Sequence, residues 1–164
     1  MRGDGASPPP RSSLSVILAT AATAAAVIAG LTYLTSAYGV LLFLGSFAAS
    51  ALIVFAYPDS PFAQPRNVIF GHLIGSACGL TCMYLLGKGW WGPAVAVGVA
   101  IALMKLTRTV HPPACSNPLI VFALSQAGWS FLLFPTLAGV GLIVAVALFY
   151  HNLRREARWP KYWF

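Results

Sequence analysis

The chain has 164 residues, of which 59% are hydrophobic and only 8% are charged, far from the roughly 25% charged residues of an ordinary soluble domain. With a mean hydropathy of +0.78, this composition excludes a water-soluble fold. The formal net charge of +7 would suit a nucleic-acid partner, but the basic residues stand as short flanks between apolar runs, a pattern that belongs to a lipid bilayer.

Residues 1–13 are polar and carry Pro8, Pro9 and Pro10 in succession, a composition for a disordered tail. The apolar run 14–34 is too long for the core of a signal peptide and has no cleavage site, so it reads as the first span. Its small residues, present in almost every turn, favour close helix packing. A turn over 35–38 leads to a second apolar run, 39–57, just long enough to cross a core of about 30 Å at about 1.5 Å per residue. The stretch from Gly45 to Ala51 gives that run a small-residue face, and Pro58 stops it. The polar connection 58–67 holds Pro58, Pro61 and Pro65, after which 68–87 forms a third span containing His72. Lys88 and Gly89 turn the chain, and Trp90 and Trp91 anchor a fourth span that ends near 105–107.

The break at His111-Pro112-Pro113 follows. Proline disfavours a helical residue before it, so the incoming helix should end by about Val110 and a new one should open at Pro112. If the remaining residues 117–150 cross once, the Lys and Arg residues divide evenly between the two sides. If 112–127 is instead a short or re-entrant helix reaching back across, with 131–151 as the final full span, one side holds Arg2, Arg11, Arg66, Lys105, Arg108, Arg154, Arg155, Arg158 and Lys161, and the other only Lys88. The positive-inside rule selects the second arrangement. Trp129 then joins Trp90 and Trp91 at the outer interface, while Trp159 and Trp163 lie at the inner one. The expected fold is all-α: a polytopic membrane helix bundle of about five full spans plus a short or re-entrant helix starting at Pro112. It forms a single transmembrane domain over 14–153, followed by a basic and aromatic tail over 154–164, with both termini cytoplasmic.

The two polar breaks fall on the same side, and each joins a descending helix to an ascending one. Arg66, Lys105 and Arg108 are the basic groups close to them, and no acidic residue lies within any predicted span. A small monovalent anion would be drawn in by these cations and held by helix N-terminal amides with Asn67, His72, His111, Ser116 and Asn117. His72 and His111 also titrate nearest neutrality and are able to carry protons. Pro65, Pro112 and Pro113 shape the breaks without touching substrate. The plainer reading makes Lys105 and Arg108 interfacial anchors, Arg66 a backbone cap, and His72 a partner of a neighbouring helix. Cys78, Cys82 and Cys115 are odd in number and sit in or beside apolar segments as packed thiols. The spacings Cys78-x-x-x-Cys82 and His111-x-x-x-Cys115 are loose for a metal, with no acid/base carboxylate beside them. No cofactor, metal or enzymatic activity is expected, and a metal-binding protein and a non-transporting assembly subunit are the alternatives.

The segments Ala49-Ser50-Ala51, Ser60-Pro61-Phe62-Ala63-Gln64-Pro65-Arg66-Asn67, Gly71-His72 and Arg108-Thr109-Val110-His111-Pro112-Pro113-Ala114, in this order, resemble the HPP family of small integral membrane proteins over residues 45–150. The resemblance implies a multi-span, transporter-like protein of a bacterial inner membrane or a plastid-type membrane, with nitrite as the first substrate to consider. Where the family's pattern often continues Gly-Ala-Asn-Ala, this chain has Cys115-Ser116-Asn117-Pro118, which keeps the asparagine. A homo-oligomer is expected, because so few helices enclose little polar space and their Gly, Ala and Ser faces suit close association.

Overall fold

A computed structural model describes residues 7–124, 127–154 and 158–163. Six α-helices carry the fold: α1 (Leu14–Tyr38), α2 (Gly45–Ala56), α3 (Pro65–Leu86), α4 (Gly92–Leu106), α5 (Asn117–Ala123) and α6 (Ala138–Arg154). Among the described residues there is no strand. Three segments are long and apolar enough to cross a membrane, Leu14–Tyr38, Pro65–Leu86 and Trp129–Leu153, while α2 and α4 are shorter apolar helices. The expected all-α bundle is present, but five full spans are not confirmed: the described residues form three long apolar helices and two shorter ones. At 12 and 15 residues, α2 and α4 reach only about 18 and 22 Å as regular helix.

The second span is short because the first runs on. Thr35 keeps its place in α1 by donating its hydroxyl to the carbonyl of Leu31 (2.8 Å), and the same oxygen accepts the amide of Leu42 (2.9 Å). The helix stops instead at Gly39, whose φ of +66° is the left-handed geometry that glycine adopts at little cost. Residues 40–44 follow without regular structure, and α2 starts only at Gly45.

The principal core joins Val27 and Leu31 of α1, Phe47, Ala51, Val54 and Phe55 of α2, Val68 and Leu80 of α3, Val121 of α5, and Val140, Ile143, Val144 and Ala147 of α6. α1 sits at its edge, with just 11% of its hydrophobic window buried. Phe47 is fully buried and packs where a β-carbon on Gly139 would stand, so the glycine is what admits the ring.

Both described chain ends lie at one end of the bundle. Ser12 lines a groove with Ala56, Asn152 donates to the carbonyl of Trp159 (2.8 Å), and Tyr162 donates to the carbonyl of Pro61 (3.2 Å). Arg66 bonds Thr107 and Lys161 pairs with Asp59 at this end, where Lys105 and Arg108 flank Thr107 in the chain, Arg11 precedes Ser12 and Arg158 precedes Trp159. Lys88 marks the opposite end, where its ammonium donates to the carbonyl of Leu124 (3.1 Å) beside the exposed Trp90 and Trp129. The chain between His111 and Leu124 thus runs most of the way back across the bundle. It does so as residues 109–111 without helix, a 3-10 turn Pro112–Ser116 and the seven-residue α5, which laid end to end would measure at most about 30 Å. The short helix expected at Pro112 is present, in two pieces.

What lets this irregular segment lie inside the bundle is a row of glycines on α3. A β-carbon on Gly71 would stand 2.7 Å from Cβ of His111, one on Gly75 would collide with the carbonyl oxygen of Ala114, and one on Gly79 would stand 2.8 Å from Cα of Pro118. Spaced four apart, the three form the small-residue stripe that allows two membrane backbones to touch. Gly98 on α4 has open space around its missing β-carbon. Gly75→Ala should therefore destabilise the fold by about 1–3 kcal/mol or more through overpacking, whereas Gly98→Ala should leave it unchanged or firmer. Thermal unfolding in mild detergent checks this, and equal stability of the two variants would contradict the close packing.

The polarity of the bundle makes a second prediction. In a variant freed of its native cysteines, single cysteines placed at Ser12 and Tyr162 should react with an impermeant label from one face of the membrane, and one at Lys88 from the other. Labelling of the two termini from opposite faces would contradict an even number of crossings.

Candidate functional site

Both polar connections are built the same way. Ser60 is extended and its hydroxyl accepts the amide of Phe62 (3.2 Å), the 3-10 turn Pro61–Ala63 follows, and α3 opens on Pro65. His111 is extended (φ −135°, ψ 101°), the 3-10 turn Pro112–Ser116 follows, and α5 opens with Pro118 in its first turn. Proline suits each start because the first helical turn needs no amide hydrogen there. Pro118 falls on such a position.

α3 supplies the hydrogen bonds that the broken backbone lacks. Arg66 donates to the carbonyl of Thr107 (2.9 Å), and Asn67 donates to that of Val110 (2.9 Å). α4 ends with Arg108 at φ +57°, the amide of Arg108 donating to the carbonyl of Lys105 and the amide of Thr109 to that of Met104. This is a Schellman closure with arginine where glycine is usual.

Behind this seam lies a buried polar cluster drawn from α2, α3, α5 and both connections. Ser50 Oγ stands 2.8 Å from His72 Nε2 and 2.9 Å from His111 Nε2, bridging the two rings, whose centroids are 5.1 Å apart. His111 Nδ1 donates to the carbonyl of Phe62 (2.7 Å). Asn117 Nδ2 donates to His72 Nδ1 (3.0 Å) and to Ser76 Oγ (2.9 Å), and Ser76 meets Thr136 Oγ1 at 2.8 Å. Ser50, His72, Ser76, His111, Asn117 and Thr136 are all at 0% exposure, so the cluster is closed to solvent and lipid. Phe47 covers His72 edge-on, with centroids 5.3 Å apart.

The partners fix where the hydrogens lie when both rings are neutral. A carbonyl only accepts, so His111 carries its hydrogen on Nδ1 and presents a bare Nε2. Asn117 donates to His72 Nδ1, so His72 carries its hydrogen on Nε2. His72 therefore donates to Ser50, and Ser50 donates to His111. Two buried oxygens beside this chain have no partner, Asn117 Oδ1 and Ser46 Oγ. Buried polar atoms in that state are uncommon and costly, by about 1–3 kcal/mol each.

Of the residues expected to hold an anion, the structure joins His72, His111 and Asn117 directly. Asn67 lies one step away, bonded to Val110 and accepting from the Tyr162 hydroxyl (3.3 Å). Ser116 turns back to the carbonyl of Pro113 (2.8 Å). Lys105 and Arg108 are exposed at the surface of the end that carries both termini, and Arg66 caps α4 there. Ser50, Ser76 and Thr136 were not among the expected residues. The available signal for Ser50 was its place in Ala49-Ser50-Ala51, where a small-residue helix face hid a buried, hydrogen-bonded hydroxyl. Two open grooves lie elsewhere, one of about 630 Å³ between α1 and α6 and one of about 310 Å³ between α1 and α2, both lined mainly by apolar side chains.

Residues 9–160 match the family model described as HPP, transmembrane region. Two transmembrane proteins of Dictyostelium discoideum are similar to the chain. One is 39% identical over 127 residues, covering 73% of this chain and 45% of the relative. The other is 32% identical over 130 residues, covering 75% and 42%. The chain thus spans less than half the length of the curated relatives it matches. No solved structure matches it.

The left-handed arginine makes a prediction that separates backbone from charge. A side chain in that region costs about 1 kcal/mol or more, so Arg108→Gly should be more thermally stable than Arg108→Gln by about that amount, although both lose the same charge. Equal unfolding temperatures would mean that contacts of the longer side chain offset the strain.

Proposed function

The chain belongs to the HPP family of integral membrane proteins, and from that premise we propose that it is a transporter for a small monovalent anion, with nitrite the first substrate to test. The observation that carries the reading is the pair of buried histidines from two separate crossings, bridged by one serine hydroxyl where the chain is not helical. Buried ionisable side chains within a bilayer are expensive and mark substrate or ion paths. Irregular backbone at membrane depth is likewise a feature of transport sites.

The chemistry fits an oxyanion of a few atoms. His72 Nε2–H, the Ser50 hydroxyl and the Asn117 amide are hydrogen-bond donors within the cluster, and the buried hydroxyl of Ser46, one turn before Ser50 on α2, has no partner. No carboxylate of the described residues faces the cluster to repel an anion. Lys105 and Arg108, exposed at one end of the bundle, and the half-buried Arg66 beside them raise the local anion concentration at the start of the path rather than binding the substrate at its centre. Because the cluster is sealed, substrate reaches it only when α2 and the connection 58–67 part from the break. We place the end rich in basic side chains, with both termini, in the cytoplasm. The open groove along α1 and α6 is the face on which copies of the chain would associate as a homo-oligomer.

Reconstituted full-length protein should take up nitrite, or formate as a second small anion, faster than protein-free vesicles. His72→Gln and Asn117→Ala should each reduce uptake by about tenfold or more, the cost of a lost hydrogen bond to a charged ligand. Lys105→Gln should change it by no more than about twofold, as screened surface charges do. Wild-type rates in folded His72→Gln and Asn117→Ala would move the site away from the cluster. Absence of uptake of either anion by the wild-type protein would favour a non-transporting assembly subunit.

A further inference from the structure

We infer that His72, Ser50 and His111 form a one-proton carrier in which His111 takes the proton at Nε2, so that the proton is the coupling ion of this protein. The inference rests on the transport reading for its purpose, but on geometry for its content.

The decisive contact is a third partner of Ser50. Besides the two rings, its hydroxyl has the carbonyl oxygen of Ser46 within 3.0 Å, one turn back on α2. A hydroxyl has one hydrogen and room to accept two. In the neutral arrangement Ser50 accepts from His72 and donates to His111. When a proton from bulk water reaches His111 Nε2, that nitrogen becomes a donor. Ser50 then accepts from both rings, and its own hydrogen turns to the carbonyl of Ser46. No heavy atom has to move, and every ring nitrogen keeps a partner of the right sense in both states. On release the proton leaves His111 Nε2, and the Ser50 hydrogen turns back.

The same bookkeeping says which ring takes the proton. A hydrogen on Nδ1 of His72 would face the amide hydrogens of Asn117, 3.0 Å away, so Asn117 keeps His72 in one neutral tautomer. His111 meets no such obstacle, because its Nδ1–H already donates to Phe62. Asn117 is therefore a positioning residue for the proton. Among the described residues, the hydrogen-bond partners of the two rings are all uncharged. α2 presents Ser46, Ser50 and Phe47, α5 presents Asn117, and the turn 133–137 before α6 presents Thr136 only through Ser76. Cys78 and Cys115 pack with Met104 and Ala100 of α4 in a separate cluster. Asp59 and Lys161 pair with each other at 2.8 Å on the exposed connection, Tyr162 bonds Pro61 and Asn67, and Arg66, Lys105 and Arg108 stay at the surface. His151 is engaged with the carbonyl of Val54 (2.9 Å), beside Trp159.

The test is nitrogen-15 magnetic resonance of the three imidazoles of the full chain in nanodiscs, titrated from about pH 8 to about pH 4, with His72→Gln and His111→Gln assigning the signals. At the alkaline end His72 should show the Nε2–H tautomer and His111 the Nδ1–H tautomer. On acidification His111 alone of the pair should gain a proton. In Ser50→Ala, and independently in Asn117→Leu, the tautomer preference of His72 should weaken. Titration of His72 in place of His111, or of neither ring, would overturn the inference. A second measurement follows the internal pH of vesicles with a trapped dye during nitrite uptake. One proton should enter with each anion in the wild-type protein, and His111→Gln should lose that coupling. Titration of His111 as described without nitrite movement would retain the proton site and reject the transport reading, whereas nitrite movement with a silent His111 would do the reverse.

Discussion

A stretch of backbone that leaves the helix inside a bilayer has to be hydrogen-bonded by something other than itself, and the rest of this structure follows from how that is done. Between Thr107 and His111 the chain breaks its ladder, and α3 answers with Arg66 on Thr107 and Asn67 on Val110. Those bonds are short only because α3 comes into direct backbone contact with the break, and such contact requires Gly71, Gly75 and Gly79. Polar satisfaction and small-residue packing are two sides of one constraint here. Each would fail without the other.

The same approach creates the buried cluster. Once Gly71 admits the backbone of His111, the ring of His111 stands beside that of His72, the next residue on α3. Two imidazoles in a closed interior need partners, and Ser50 of α2 serves both. α2 is short and starts late, after Gly39 has ended α1, yet its position is held by Phe47 in the space left by Gly139. A hydroxyl suits the bridge better than an amide or a carboxylate, since it reverses its sense by rotation alone.

Much of the architecture was legible in the sequence, because composition, tryptophan placement and the clustering of basic residues at one end are properties of the whole bilayer-facing surface. The break was legible for a local reason, since two prolines after His111 leave the backbone little choice. Span lengths were not. Residues 40–44 are as apolar as a helix interior, and hydropathy alone does not report that Gly39 turns left-handed or that Thr35 is satisfied within α1. In the site, His72, His111 and Asn117 stood out because each is a polar residue in an apolar setting. Ser50 and the glycine row did not, because small residues on membrane helices ordinarily mean packing, and only the opposing backbone tells which of them meets another chain segment. Arg66 was read both as an anion partner and as a backbone cap and Asn67 as an anion partner, and in the structure both complete the backbone of α4 and the break.

The C-terminal segment shows how far the site extends. Residues 158–163 read as a tail, but Trp159 is only 3% exposed, Lys161 donates its amide to Gln64 Oε1 (2.8 Å) and Tyr162 bonds both Pro61 and Asn67. Gln64 is fully buried and spends its amide hydrogens on Pro58 (2.8 Å) and Ser60 (2.9 Å), so it staples the turn that contains Phe62. The carbonyl of Phe62 is in turn what fixes the tautomer of His111. The exposed ion pair of Lys161 with Asp59 adds little to this hold. The buried bonds through Gln64 and Asn67 carry it, and they make residues 159–162 part of the frame that holds His111 in place.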